Sequence, residues 1–196
     1  MREILKLFLV VALFGMFSGG ILAAVRGSTQ EKIDFQQLKF VKGPVLQDLF
    51  KEASNDPLTD RFKIMDDKEE VTCFVGVFDG TKKAVAIEGF AGGYGGAIGV
   101  IVAIDLENDQ IMGIGVTTHS ETPGLGSRAK DDPAFARQFR GMTMKDLFKI
   151  TAEGGKIDAL SGATVTSRGV AGAVQSVSEM YRRLKPSIME KLKDKA

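Results

Sequence analysis

Hydrophobic and polar positions fall into three textures along the chain. Residues 7–25 are an unbroken apolar run, LFLVVALFGMFSGGILAAV, with Ser18 as its sole polar side chain and no charge. A helix of roughly 20 such residues crosses the ~30 Å hydrocarbon layer of a bilayer. The apolar part of a cleaved signal peptide is usually only about 7 to 15 residues long, so the run predicts a transmembrane anchor. Ser18-Gly19-Gly20 and Leu22-Ala23-Ala24 would both tolerate cleavage, which leaves a removed signal as the competing reading. Arg2 and Lys6 precede the run and Arg26, Lys32 and Lys39 follow it, so the basic residues do not fix its orientation.

The second texture, residues 26–70, is mixed. Ser28-Thr29-Gln30-Glu31 fits a capping box, Leu46, Leu49 and Phe50 are spaced for one helix face, and Gly43-Pro44 and Asp56-Pro57 interrupt. This stretch predicts short helices linking anchor to domain. From residue 71 the pattern becomes that of strands. VTCFVGVF, the turn signal Asp79-Gly80 and AVAIE make one hairpin. Residues 97–105 and 110–118, separated by Glu107-Asn108-Asp109, make a second. Residues 132–139 and 144–150 then read as short helices, and 166–184 as a longer one before Pro186. The predicted organisation is a tail (1–6), an anchor (7–25), a helical linker (26–70), an α+β domain of antiparallel hairpins with packed helices (71–185), and a frayed basic tail (186–196).

Composition narrows the chemistry. With 26 Lys+Arg against 25 Asp+Glu, the formal charge of +1 offers no basic field for nucleic acid. Cys73 is the single cysteine and His119 the single histidine. This chain alone therefore cannot hold an iron-sulfur cluster, form an internal disulfide or ligate haem through paired histidines. No acidic or histidine cluster has metal-ligand spacing, and no nucleophile, base and orienting group form a triad, so no catalytic or metal-binding residues are assigned. Any redox chemistry must come from a bound cofactor. Cys73, inside a strand run, reads as a small buried hydrophobe, and His119 is given no role.

Three motifs stand out. Asp158-Ala-Leu-Ser161-Gly162-Ala163-Thr164-Val-Thr166-Ser167 sets small hydroxylated residues where an amphipathic helix begins. Taken blind it is an N-cap, with Thr166 or Ser167 accepting from the first turn. The same geometry suits a phosphate, because a helix start presents free N–H groups and a positive dipole end. Gly92-Gly93-Tyr94-Gly95-Gly96 lies between strands and is not a dinucleotide fingerprint, since Ile98 occupies the third glycine position counted from Gly93 and a strand pattern follows. It is either a flexible or bulged connection or a place where backbone passes close to a planar ring beside Tyr94. Glu121-Thr122-Pro123-Gly124-Leu125-Gly126 places Pro-Gly at the centre of a type II turn. It is a tight turn, or a stiff loop flanking a flavin.

Together, in this order and behind this anchor, the motifs resemble the FMN-binding subunits of Rnf and sodium-pumping NADH:quinone reductase complexes, across residues 71–183. The short chain looks most like the G subunit of the Rnf complex; the longer C subunit of the sodium-pumping reductase and a stand-alone membrane FMN-binding protein are the alternatives. A non-redox adaptor, in which the hydroxyl-rich turn only caps its helix, also remains. In that family a flavin transferase reads an Asp-x-x-Ser/Thr-Gly-Ala-Thr/Ser signature and joins FMN through its phosphate to the last hydroxyl residue. The resemblance implies that residue is Thr164, with Asp158 read by the transferase. Ala159 stands where glycine is frequent. It further implies cofactor contacts from Ser161, Gly162, Ala163, Thr166, Glu121, Thr122, Leu125, Gly126 and Tyr94. The implied setting is an extracytoplasmic domain on a single-pass anchor in the cytoplasmic membrane, relaying electrons among the other subunits of a ferredoxin:NAD complex.

Overall fold

The computed structural model describes residues 2–67 and 69–194. Met1 of the N-terminal tail, Lys68 of the linker and residues 195–196 of the basic tail lie outside the described residues. The chain divides between Phe40 and Val41 into two units.

In the first unit, helix α1 (Arg2–Gln37) continues well beyond the apolar run. Among the described residues it supplies the helix long and apolar enough to cross a bilayer, and Leu7, Phe8, Phe14 and Phe17 on it are exposed. The predicted capping box is interior to this helix. The Ser28 and Thr29 hydroxyls donate back to the Val25 carbonyl at 2.9 and 2.7 Å, the usual habit of helix-interior Ser and Thr. With no Gly or Pro break between residues 28 and 37, the chain has no reason to restart the helix there. A π-helical turn, Leu38–Lys42, follows.

The second unit opens with α2 (Gly43–Leu49), where Pro44 sits in the first turn and its missing N–H is not needed. Five antiparallel strands follow in sequence order: β1 (Arg61–Asp66), β2 (Glu69–Phe78), β3 (Thr81–Gly92), β4 (Ala97–Asp105) and β5 (Gln110–Val116). The α+β class of antiparallel hairpins with packed helices is as expected, but the sheet has one strand more than the four anticipated and begins at Arg61, not residue 71. β1 is only RFKIMD; Phe62 and Ile64 point inward opposite Cys73 and Val71, while Arg61 and Lys63 point out. Between β2 and β3, Asp79 and Gly80 have φ of 50° and 74°, the paired positive values of a two-residue hairpin.

Because side chains alternate across a strand, the sheet has two apolar faces. On one, Val85 and Ile87 of β3 and Ile98, Val100, Val102 and Ile104 of β4 join Val170, Val174, Val177 and Tyr181 of α5 (Thr164–Asp194) in the main core. Gly89 sets how closely α5 lies: a Cβ there would come within 2.5 Å of Val177 Cγ2 and 2.9 Å of the Ala173 carbonyl oxygen. On the other face α2 rests on small residues, since a Cβ on Gly115 would meet Val45 at 2.4 Å and one on Gly113 would meet Leu49 at 2.9 Å. Cys73 is fully buried, and burial pushes its thiol pKa up to about 12, so it stays a protonated, apolar filler.

Three helical expectations need correction. α5 begins at Thr164, before the predicted 166, and runs through Pro186 to Asp194. Burial of Ile188 and Leu192 against the core, and a 3.0 Å bond from Lys82 Nζ to the Leu192 carbonyl, offset the local cost of the proline. Residues 144–150 form no helix: Met144, Phe148 and Ile150 are buried from an irregular segment pinned by the Asp146 carboxylate, which accepts from the Thr143 amide and hydroxyl. The predicted 132–139 helix is shorter, α4 (Pro133–Arg137), capped by Asp132 and preceded by an unforeseen turn of helix, α3 (Arg128–Asp131).

Asp109, at φ 54° in the β4–β5 turn, clamps α5 to the sheet. Its carboxylate accepts from the Tyr181 hydroxyl at 2.6 Å and from Lys185 Nζ at 2.6 Å. Burial alone would raise its pKa, but the hydrogen bonds from Lys185 and Tyr181 and the Lys185 charge together outweigh burial and leave it lowered.

Two outcomes are expected. Gly89→Ala should destabilise the sheet unit by about 2 kcal/mol through overpacking, read as a lower urea midpoint for the detergent-solubilised chain. A carboxyl with a lowered folded pKa contributes stability that is complete above its unfolded value near 4 and is lost as pH falls through the folded value. Stability measured against pH should therefore fall less steeply below about pH 4 in Asp109→Asn than in the parent chain.

Candidate functional site

The start of α5 is brought against loop 92–96 by glycines. A Cβ on Gly169 would lie 2.8 Å from the Gly92 carbonyl oxygen and 3.1 Å from Gly93 Cα, and one on Gly172 would lie 3.3 Å from Ala91 Cβ. Ahead of the helix, the Ala163 N–H bonds the Leu160 carbonyl at 2.9 Å, and Gly162 turns the chain with φ 80°. The first bond of the helical ladder is Ser167 N–H to the Ala163 carbonyl at 2.9 Å. The amides of Thr164, Val165 and Thr166 thus precede the ladder and give this end its anion-binding character.

The hydroxyls of this segment have divided roles. Ser167 is fully buried; its Oγ accepts from the Leu160 N–H and donates to the Ala163 carbonyl, each at 2.9 Å. Thr166 is also buried, and its hydroxyl donates to Glu121 Oε2. Neither is the N-cap that the sequence suggested, because the helix starts upstream of both. Thr164, its first residue, is exposed and its hydroxyl has no hydrogen-bond partner among the described residues. Ser161 is exposed as well, beside Gly162 and the buried Ala163.

The Glu121 loop arrives from the end of β5. Leu125 N–H bonds the Thr122 carbonyl at 3.2 Å and Gly124 has φ 72°, the left-handed position that the Pro-Gly turn anticipates. Thr122 and Leu125 are exposed. Leu125 leans over Gly162, where a Cβ would come within 2.9 Å of Leu125 Cδ1. Glu121 is only 6% exposed, and its Oε1 accepts the Gly95 N–H at 2.9 Å. Gly95 touches the same segment so closely that a Cβ would fall 2.0 Å from the Ser120 carbonyl oxygen. Gly126 is buried next to both acceptor and donor, 2.9 Å from Thr166 Oγ1 by the same measure. Tyr94, at the tip of its loop, is 76% exposed.

The three motifs, scattered over residues 92–167, therefore converge on one surface: Tyr94, Thr122, Leu125, Ser161 and Thr164 outward, Glu121, Gly126, Ala163 and Thr166 beneath. Asp158 is held through its backbone, its N–H donating to Gln138 Oε1 at 2.7 Å and its carbonyl accepting from Gln138 Nε2 at 3.1 Å, with the side chain exposed. Sequence reasoning missed Gln138, which nothing in the spacing of its segment marks. It also gave His119 no part, whereas His119 Nδ1 accepts the Glu121 N–H at 3.3 Å.

Residues 93–179 match the FMN-binding domain family. The G subunit of the ion-translocating oxidoreductase complex of Shewanella oneidensis is 30% identical over 188 residues, covering 89% of this chain and 87% of that one. Its counterpart in Cereibacter sphaeroides is 31% identical over 193 residues, covering 94% and 87%. The chain belongs to this family of G subunits. The Vibrio cholerae member is 31% identical, with 87% of each chain covered. Among solved structures, the C subunit of the Na(+)-translocating NADH-quinone reductase of Parabacteroides distasonis aligns with TM-score 0.48 at 26% identity, over 56% of this chain and 60% of that one. NqrC of Shewanella oneidensis aligns with TM-score 0.46 at 26% identity, over 64% and 65%. The chain spans less than two thirds of the length of either solved chain.

Ser167→Ala would strip the buried Leu160 amide of its acceptor and is expected to cost about 1–3 kcal/mol. The measurement is amide exchange: Leu160 should lose protection in the variant while Val174 and Val177, deep in α5, keep theirs.

Proposed function

We propose that this chain is the FMN-bearing electron-transfer subunit of a membrane-bound, Rnf-type ion-translocating oxidoreductase working between ferredoxin and NAD, with FMN joined through its phosphate to Thr164. The observation that carries the reading is the state of the hydroxyls before and within the first turn of α5. Thr166 and Ser167 are buried and bonded, whereas Thr164 is exposed and unbonded at the position where helix amides favour a phosphate. In the net balance, the Thr164 Oγ–P bond forms as a P–OH bond of the FMN phosphate breaks, and the threonine hydroxyl proton leaves with that phosphate hydroxyl as water.

The residues present fit such a group. Gly162 takes a left-handed turn just ahead of the helix start, where a Cβ would strike Leu125, and exposed Leu125, Val165 and Tyr94 offer apolar surface to a planar ring. The bound flavin supplies one-electron chemistry. The chain's own part is to hold: the ester prevents loss, the amides of residues 164–166 orient the phosphate, and the Pro123-Gly124 turn keeps Leu125 in place over Gly162. Ser161, Ala163, Thr166, Glu121, Thr122 and Gly126 complete the site. No acid-base residue is needed for such a relay.

Membrane association rests on α1. A single pass through lipid by residues 7–25, an extracytoplasmic sheet unit, other subunits as electron donor and acceptor, and maturation by a flavin transferase that reads Asp158 through Thr164 complete the proposal.

The test is intact mass of the chain produced together with a flavin transferase. The parent should gain one FMN less one water, and Thr164→Ala should gain nothing. Equal, unmodified masses would exclude the ester, and an adduct retained by Thr164→Ala would move it to another residue.

A further inference from the structure

The least explained group in the site is the Glu121 carboxylate. It is 6% exposed, and no cation pairs with it among the described residues. A buried carboxylate without a counter-charge is costly to keep unless its oxygens are fully used. Here both are used, and by two different segments: Gly95 N–H on Oε1 at 2.9 Å and the Thr166 hydroxyl on Oε2. The glycines around it are what such a clamp requires. A Cβ on Gly93 would strike Glu121 Oε1 at 2.5 Å, and one on Gly126 would strike Glu121 Cβ at 2.8 Å and Oε2 at 2.9 Å. Its own backbone is tethered too, its N–H donating to His119 Nδ1 at 3.3 Å.

We infer that Glu121 is a positioning residue and not a flavin contact: its carboxylate straps loop 92–96, turn 121–126 and the first turn of α5 into one register, and through Thr166 it fixes how the neighbouring Thr164 is presented for modification. The inference rests on Thr164 being the attachment residue. Removing the strap leaves the Gly95 amide and the buried Thr166 hydroxyl without their shared acceptor, so the three segments loosen together. Glutamine reproduces both contacts, since its carbonyl oxygen accepts from Gly95 and its amide donates to the Thr166 oxygen, which can accept as well as donate. The strap therefore depends on the shape and hydrogen bonding of the side chain rather than on its charge.

Two readouts on the full chain in detergent test this. The first is amide exchange in unmodified protein, made without flavin transferase. Glu121→Ala should raise exchange by roughly tenfold or more in loop 92–96, turn 121–126 and the bonded amides of Ala163 and Ser167 together, leaving the interior of α5 unchanged, and Glu121→Gln should keep all three segments within about threefold of the parent. The second is the fraction carrying FMN after a short exposure to flavin transferase, read by intact mass: low in Glu121→Ala, restored in Glu121→Gln. Thr166→Val, which cuts one arm only, should loosen the same segments and lower modification if Glu121→Ala fails to fold. Unchanged exchange in Glu121→Ala or in Thr166→Val would overturn the inference. So would Glu121→Gln losing modification while its loops stay protected, because the charge would then act on the cofactor or the transferase directly. A parent chain that takes up no FMN would sink the Thr164 reading alone, and the exchange arm would still decide the strap.

Discussion

The close seating of α5 on strands β3 and β4 is the constraint from which the site follows. Gly89 lets the helix lie nearly on the strand backbone, with no room for a Cβ between it and Val177, and Gly169 and Gly172 repeat that close approach at the helix start. A helix held this near must deliver its N-terminus to the end of the β3–β4 hairpin, where loop 92–96 turns. The far end is fixed by the Asp109 clamp on Tyr181 and Lys185 and by burial of Ile188 and Leu192 past Pro186. The first turn of α5 is thereby immobilised from both sides, and a phosphate-sized anion at that turn would meet preset amides instead of having to order them.

Polar bonding at the site is divided between what is spent on structure and what is left for a ligand. Ser167, Thr166 and Glu121 are buried with every side-chain oxygen engaged, and Gln138 holds the Asp158 backbone at both its N–H and its carbonyl. Thr164, Ser161 and Thr122 remain exposed. This separation leaves two exposed hydroxyls in the 158–167 segment, Ser161 and Thr164, and of these Thr164 is the one on the first helical residue. It also accounts for the apolar Leu125, Val165 and Tyr94 at the surface, which a core-forming role would have buried.

Much of the fold was legible from period alone, because the strands that pair in hairpins carry alternating or continuous β-branched residues and strong turn signals at Asp79-Gly80 and Asp109. β1 escaped notice since RFKIMD offers only two inward side chains, Phe62 and Ile64. Residues 144–150 resembled a helix because buried Met144, Phe148 and Ile150 recur near helical spacing, yet the Thr143–Asp146 turn claims the backbone first. Pro186 misled in the opposite sense, as tertiary burial overrode local preference. At the site, motif order picked out three segments that the fold brings together. Which hydroxyl is free, and that Glu121 faces inward, are set by the packing of one loop on another, and sequence spacing does not record that packing.

The most direct measurement is fragmentation mass spectrometry of the tryptic peptide IDALSGATVTSR, residues 157–168, from chain matured with a flavin transferase. It contains every hydroxyl in contention: Ser161, Thr164, Thr166 and Ser167. FMN phosphate is expected on Thr164 alone. An adduct on Ser161, Thr166 or Ser167, or a fully unmodified peptide, would contradict the central claim.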